Sequence, residues 1–220
     1  LGGNGVKAKS NRGNQNGRFL ENITLASDQS VTDADAILID PAGVVYDSVT
    51  RSPVAGAVVT FNFNGALVPN TWLDQLAGGP NTQTTGANGQ YSFVLNGAAQ
   101  SGVYTLDVAT PTGFTFQSVA IPVTAGPYDP GLGGGIVAVQ PQATAPTGSD
   151  ATTYYLDFSF TIGTTASTTS NGVINNHIPI DPNPSTATST ITASPTSIVA
   201  DGTTTSTVTV QLKDANGNDL

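Results

Sequence analysis

The chain has 220 residues, with fifteen acidic side chains against six Lys and Arg, and it contains no Cys. Without Cys it can form neither disulfides nor metal sites built on thiolates. Its net charge is -9, and no cluster of cations is present to neutralise phosphates, which argues against nucleic acid as a partner. No apolar run approaches the roughly 18 residues of a membrane-spanning helix, so no membrane span is predicted.

Residues 1–37 are interpreted as a basic N-terminal arm or linker. Lys7, Lys9, Arg12 and Arg18 lie there among many Gly and Asn residues. Such a composition is typical of a flexible linker, because it offers little apolar surface to bury. The alternative is an arm that docks on an acidic neighbour, such as another copy of the chain.

Residues 38–182 contain short segments in which apolar and polar side chains alternate, divided by Gly, Pro, Asn and Asp. Alternation at period two predicts strands with one buried face, and no segment carries the spacing of an amphipathic helix. One helix-like turn is expected around Trp72. The predicted strands cover residues 43–47, 54–63, 91–95, 104–108, 114–123, 136–139 and 154–162. Strands at this spacing predict an all-β fold, an antiparallel β-sandwich.

The C-terminal part is predicted to begin a second module. Residues 173–182 contain two X-Pro steps and should run extended, and residues 183–190 are interpreted as a Pro/Thr/Ser linker. Residues 191–195 and 207–212 predict two strands. Two strands cannot bury a face by themselves. Residues 191–220 therefore predict an incomplete module, completed by a longer parent chain or by a partner strand.

The single His of the chain is the first candidate for chemistry. His177 lies beside Pro179 in an extended stretch, whereas a catalytic base must be oriented by a third group on a rigid scaffold. We expect His177 to cap the sandwich or to bond a nearby backbone carbonyl. The sequence therefore predicts a protein that is not an enzyme, with no catalytic residues and no required cofactor.

Acidic side chains cluster near the start of the sandwich. Asp28, Asp33, Asp35, Asp40 and Asp47 lie within 20 residues of one another, and Asp33 and Asp35 share one face of any strand they occupy. Carboxylates held this close favour a cation, and calcium accepts such ligands. We predict a calcium site at Asp33, Asp35, Asp40 and Asp47. The alternative is a solvated acidic edge that discourages aggregation between strands.

Residues 191–220 carry several specific short motifs. They combine Ser194-Pro195, Ala200-Asp201-Gly202, an alternating Thr/Val strand and the run KDANGN that starts at Lys213. This combination resembles the opening of the immunoglobulin-like repeat of invasin and intimin-type bacterial adhesins, and it covers about the first third of such a repeat. The resemblance implies that Asp214 to Asn218 form a turn rather than a calcium loop.

Residues 39–110 carry a second set of motifs, GVVYD at 43–47, PVAGAVV at 53–59 and TTGANGQYSF at 84–93. They resemble the carboxypeptidase-regulatory-like or collagen-adhesin B-type modules of bacterial surface proteins. The resemblance implies a transthyretin-like (prealbumin-like) β-sandwich, repeated in series along a large protein. Many B-type modules cross-link a buried Lys to an Asn. Because no Lys lies between Lys9 and Lys213, that cross-link is not expected here.

These resemblances imply a non-enzymatic, extracellular segment of a bacterial cell-surface protein that acts as a stalk or adhesion module. Its partners would be neighbouring modules, other copies of the chain, or a glycan or protein on a host or cell surface. A second hypothesis is a subunit of a self-assembling extracellular filament joined by β-strand addition. A third is a carbohydrate-binding accessory module of a secreted enzyme, which would use Trp72 with Tyr128 or Tyr154.

Overall fold

The computed structural model describes residues 41–75 and 77–220. The arm predicted at residues 1–37 lies outside the described residues. Within them the structure is all-β, and its helical segments are two 3-10 helices of three residues each, Asn70–Trp72 and Ala166–Thr168. The prediction of an all-β fold is confirmed.

Before residue 183 the described chain contains eleven strands, which form a sandwich-like arrangement of sheets. In chain order they are β1 (Ala42–Asp47), β2 (Val58–Phe63), β3 (Ala66–Leu67), β4 (Thr82–Thr84), β5 (Gln90–Ser92), β6 (Gly102–Ala109), β7 (Phe114–Thr115), β8 (Ile136–Ala138), β9 (Asp157–Phe160), β10 (Gly172–Ile174) and β11 (Ile178–Pro182). One sheet has the order β5-β1-β11-β7. The other has the order β3-β2-β6-β9, with β4 also paired to β2, and β8 pairs with β10 separately.

Aromatic side chains form the core between the two sheets. Phe61 of β2 stacks on Phe93, which follows β5, with 5.0 Å between the ring centroids. Tyr104 of β6 lies 5.2 Å from Phe61, and Phe160 of β9 lies 5.7 Å from Tyr104. All four side chains are buried. Rings of this size bury large apolar areas, so the Phe61–Phe93 contact contributes to the packing between the sheets.

The first and last strands of the sandwich lie next to each other and run parallel. Val45 of β1 pairs with Ile178 of β11, and Asp47 pairs with Ile180. Strands β8 and β10 are parallel too, whereas the remaining pairs of the sandwich are antiparallel. Period-two alternation is the same in parallel and antiparallel strands, so the sequence pattern did not distinguish these two pairs.

The strand predicted over residues 114–123 is only partly correct. Strand β7 ends at Thr115. Beyond it, the backbone N–H of Val119 donates to the carboxylate of Asp181, and that of Ile121 donates to Oγ of Ser118. The prediction is wrong for residues 116–123 because side chains there take the hydrogen bonds that a neighbouring strand would have taken.

The C-terminal residues form a hairpin of two strands, β12 (Thr190–Ser194) and β13 (Thr207–Gln211), in antiparallel register. The segment before it is bonded to the residues that follow β13: the N–H of Ser185 donates to the carbonyl of Lys213 at 2.8 Å. Thr188 donates from its hydroxyl to the carbonyl of Asp214. The boundaries predicted at residues 38, 183 and 191 stay predictions.

Candidate functional site

Polar side chains collect on one face of the β5-β1-β11-β7 sheet. The β1–β11 register and the alternation of side chains put Tyr46 and Asp181 on the same face. Tyr154 lies near both groups: burial raises the pKa of Tyr154, and Tyr46 and Asp181 raise it further. His177 lies directly before β11, and Arg51 lies over the ring of Tyr46. We call these five residues the polar layer.

His177 is buried and uses both ring nitrogens. Its Nδ1 accepts a hydrogen bond from the backbone N–H of Val44 at 3.1 Å, and its Nε2 lies 2.8 Å from the carbonyl oxygen of Gln142. A neutral ring with its proton on Nε2 satisfies both contacts. Burial lowers the pKa of His177, which favours that neutral form. The expected bond to a backbone carbonyl is confirmed, and neither nitrogen is free to transfer a proton to a ligand.

Asp181 ties two loops to β11. Its carboxylate accepts hydrogen bonds from the hydroxyls of Ser48 and Ser118 and from the backbone N–H of Val119 and Ala120. Burial raises the pKa of Asp181, but these hydrogen bonds outweigh burial and lower it below its ordinary value. One carboxylate therefore fixes both the turn after β1 and the loop after β7.

Asn176 joins β1 to the segment before β9. Its backbone oxygen accepts a hydrogen bond from the Tyr91 hydroxyl at 2.6 Å, and its side chain bonds the N–H and carbonyl of Tyr155. Its N–H donates to the carbonyl of Ala42 at 3.0 Å. The backbones approach so closely that a Cβ on Gly43 would lie 2.1 Å from the Asn176 oxygen. Only glycine fits at position 43.

Arg51 and two tyrosines form the least satisfied part of the polar layer. The Arg51 guanidinium carbon lies 5.8 Å from the centre of the Tyr46 ring, and the Arg51 backbone has φ of 63°, in the left-handed region. One guanidinium nitrogen and the hydroxyls of Tyr46 and Tyr154 are buried without a hydrogen-bond partner. Burial raises the pKa of Tyr154 to about 12. Sequence reasoning missed this cluster because both tyrosines alternate as ordinary core residues.

The calcium prediction concerns Asp33, Asp35, Asp40 and Asp47. The first three lie outside the described residues. Asp47 is buried, and its Oδ1 accepts hydrogen bonds from two backbone N–H groups of the following turn, at 2.8 and 2.9 Å. Across 41–75 and 77–220, no three His, Asp or Glu side chains lie close enough together to hold a metal ion. The calcium site stays a prediction.

The Asp214 segment forms a turn, as the adhesin resemblance implies. Oδ1 of Asp214 accepts hydrogen bonds from the backbone N–H of Asn216 at 2.9 Å and of Asn218 at 2.8 Å. Lys213 and Asp219 close the turn with an ion pair at 2.7 Å. The carboxylate therefore organises its own loop.

The aromatic residues considered for carbohydrate binding do not form a common platform. Trp72 packs edge-on against Phe63, with 5.4 Å between the rings, and Tyr128 stacks on Tyr155 at 4.6 Å. Tyr154 is fully buried and offers no ring face to a sugar. Stacking on a sugar would therefore depend on Trp72 or Tyr128 separately.

The C-terminal hairpin has one apolar and one polar face. Ile191 pairs with Val210, and Val208 follows on the same face. These three side chains are 73%, 58% and 59% exposed, respectively. The opposite face carries mainly Thr side chains. The apolar face of the hairpin is therefore exposed over three neighbouring side chains.

Comparison with known proteins identifies this hairpin. Residues 185–220 match the family model described as Invasin, domain 3. This part of the chain is similar to an invasin-type module. The match supports an immunoglobulin-like repeat over these residues and suggests a bacterial adhesin-like surface module. No curated protein and no solved structure matches the chain. In the described residues, no helix has the length and apolar character needed to cross a membrane.

Proposed function

We propose that the chain is a non-enzymatic segment of an extracellular bacterial surface protein, in which it acts as a stalk or adhesion module. The match of residues 185–220 to invasin domain 3 carries this proposal. The resemblance of residues 39–110 to carboxypeptidase-regulatory-like and collagen-adhesin B-type modules supports it, because such modules are strung in series along surface proteins.

The contacts of the polar layer support a structural role. Both nitrogens of His177 bond backbone groups, and the Asp181 carboxylate accepts four hydrogen bonds from two loops. Groups held in this way stabilise the fold, since each would lose hydrogen bonds within the protein if it turned toward a ligand.

The loops that Asp181 ties together form the surface that we propose for adhesion. Val119 is 87% exposed at the tip of one loop, and Val49 is exposed on the other. Apolar side chains held at the tips of rigid loops suit contact with a protein on another cell, because little loop entropy is lost on binding.

Antibody labelling of the intact source cells tests the surface location. We expect labelling before permeabilisation, and removal of the label when the cells are treated with a protease. Labelling that appears only after permeabilisation would contradict the proposal.

Adhesion is tested separately by substitution. Val119→Asp should reduce attachment of the cells, and Val103→Asp, at an exposed position on β6, is the control.

The exposed apolar face of the hairpin favours a second candidate, a filament subunit joined by β-strand addition. A strand of a neighbouring copy would pair with the edge of the hairpin, and the exposed face of Ile191, Val208 and Val210 would pack against that copy. Electron microscopy of the protein at neutral pH should then show filaments, and Val208→Thr with Val210→Thr should abolish them. Dispersed monomers that deletion of residues 183–220 does not change would defeat this candidate.

A further inference from the structure

The parallel pairing of β1 and β11 determines how the sandwich responds to tension. The chain enters β1 at Ala42 and leaves β11 at Pro182, and in a parallel pair these two points lie at opposite ends. Tension on the chain therefore slides the two strands past each other along their length. All the hydrogen bonds between them must then yield together. If the two strands were antiparallel, the same tension would open the bonds one after another from one end.

We infer that β1 and β11 form a clamp that resists stretching of the chain. The inference rests on the proposed stalk function, since only a chain that connects two anchored objects carries tension. The clamp consists of β1 and β11 with the residues that bond across them, and it lies inside the sheet, between β5 on one side and β7 on the other.

Hydrogen bonds extend the clamp beyond both ends of the paired strands. At the start of β1, the N–H of Asn176 donates to the carbonyl of Ala42 at 3.0 Å. At its end, the N–H of Ser48 donates to the carbonyl of Ile180 at 2.9 Å, and the Ser48 hydroxyl donates to Asp181 at 2.6 Å. Because hydrogen bonds are present at both ends of the β1–β11 pair, the strands cannot start to slide by losing the terminal bonds of the pair one at a time.

His177 supplies a bond across the clamp from a side chain. The Val44 N–H donates to Nδ1 of His177 across the two strands, so a ring nitrogen supplies an acceptor at the point where the chain enters β11. The structure thus gives the buried His177 a positioning role in the clamp.

Single-molecule stretching of the full chain in two directions tests the clamp. In the first arm the chain is pulled from its two ends. In the second it is pulled from Val49→Cys and the C-terminal end, so that force reaches β1 and β11 at neighbouring ends and peels them apart. The native chain has no Cys, which makes the engineered attachment unique.

The force peak to compare is the one that releases the sandwich, recognised by about 3.5 Å of new contour length for each freed residue. We expect the end-to-end arm to unfold at a force at least twofold higher than the peeling arm at the same pulling speed. Equal forces in the two arms would overturn the clamp. This comparison needs no destabilising substitution, so it does not depend on whether a variant folds.

Two substitutions then test the part played by His177. His177→Asn keeps a hydrogen-bond acceptor near the position of Nδ1, whereas His177→Leu removes it. We expect the end-to-end unfolding force to fall in His177→Leu and to be largely retained in His177→Asn, with the peeling force little changed in both. If the unfolding force falls equally in both pulling arms, His177 stabilises the fold in general, and its role in the clamp is overturned.

The clamp and the proposed function can fail independently. Labelling of intact cells reports the location of the chain and does not depend on its mechanics. If the unfolding force differs strongly between the two pulling directions but the chain lies inside the cell, the stalk function is contradicted and the clamp is supported. If the two forces are equal but the chain is displayed on the cell surface, the clamp is contradicted and the surface location is supported.

Discussion

The backbone N–H of Val44 donates a hydrogen bond to Nδ1 of His177 across the first and last strands of the sandwich, at 3.1 Å. The two residues are 133 positions apart in the chain. Because the ring is buried and its other nitrogen bonds the Gln142 carbonyl, a single neutral side chain links β1, β11 and the loop after β8.

Stability should depend on pH through His177. Burial lowers its pKa in the folded protein, whereas the unfolded chain keeps the ordinary value of about 6.5. Between the two values the unfolded state binds more protons, so the free energy of unfolding falls as the pH drops below about 6.5. The expected slope is up to about 1.4 kcal/mol per pH unit, measured by urea denaturation between pH 7.5 and 5. His177→Asn should flatten this slope, and an unchanged slope in that variant would refute the assignment.

Gly43→Ala should destabilise the sandwich by about 3 kcal/mol. Its Cβ would lie 2.1 Å from the Asn176 backbone oxygen, so β1 and β11 would have to separate. The control is Gly97→Ala, whose added methyl meets no atom within 4 Å and should change stability by less than about 0.5 kcal/mol. Chemical denaturation compares the two variants, and a similar loss in both would show that the close approach is not tight.

Asp181→Asn should cost about 1.5–3 kcal/mol, because a neutral amide cannot accept all the hydrogen bonds that the carboxylate accepts. The loop at Val119 should loosen, seen as faster amide hydrogen exchange there and at Ala120. Asp129→Asn is the control, since that carboxylate accepts an exposed hydrogen bond from Gly131. Unchanged amide exchange at Val119 in Asp181→Asn would argue against the contact between Asp181 and the loop.

The stabilisation from Asp181 also depends on pH. It is present above the ordinary pKa of Asp and is lost as the pH falls through the lowered pKa of Asp181.

Calcium should raise the melting temperature if Asp33, Asp35, Asp40 and Asp47 bind it. The measurement compares thermal unfolding with millimolar calcium, with magnesium and with EDTA. Asp33→Asn combined with Asp35→Asn should abolish the increase, whereas Asp129→Asn should not. Identical melting temperatures in calcium and in EDTA would reject the site and favour the solvated acidic edge.

Local pattern predicted the strands well where one face is buried. Tyr104 and Leu106 alternate with polar neighbours, and they are the buried positions of β6. The same pattern overextended the strand after Phe114, because alternation records which side chains are apolar and not which backbone groups find a strand to pair with. Asp181, a residue distant in the chain, occupies those groups instead.

Composition and local alternation were enough to predict the all-β class, and the motifs of residues 191–220 carried the resemblance to an adhesin repeat. The sequence also indicated a structural His177, because that residue lies beside Pro179 in an extended stretch, whereas a catalytic base must be oriented on a rigid scaffold. The fold class depends on composition and on the alternation of neighbouring residues, whereas the adhesin-like module depends on a resemblance carried by short motifs.

Three contacts could be seen only in the folded chain: β1 and β11 are parallel neighbours, Gly43 faces the Asn176 carbonyl, and Asp181 holds the Val119 loop. Local pattern could not predict them, because each of these contacts joins residues that lie more than 60 positions apart in the chain. Period-two alternation does not specify the order or the direction of the strands in a sheet. Both are set by the closure of the loops and by the packing between the sheets.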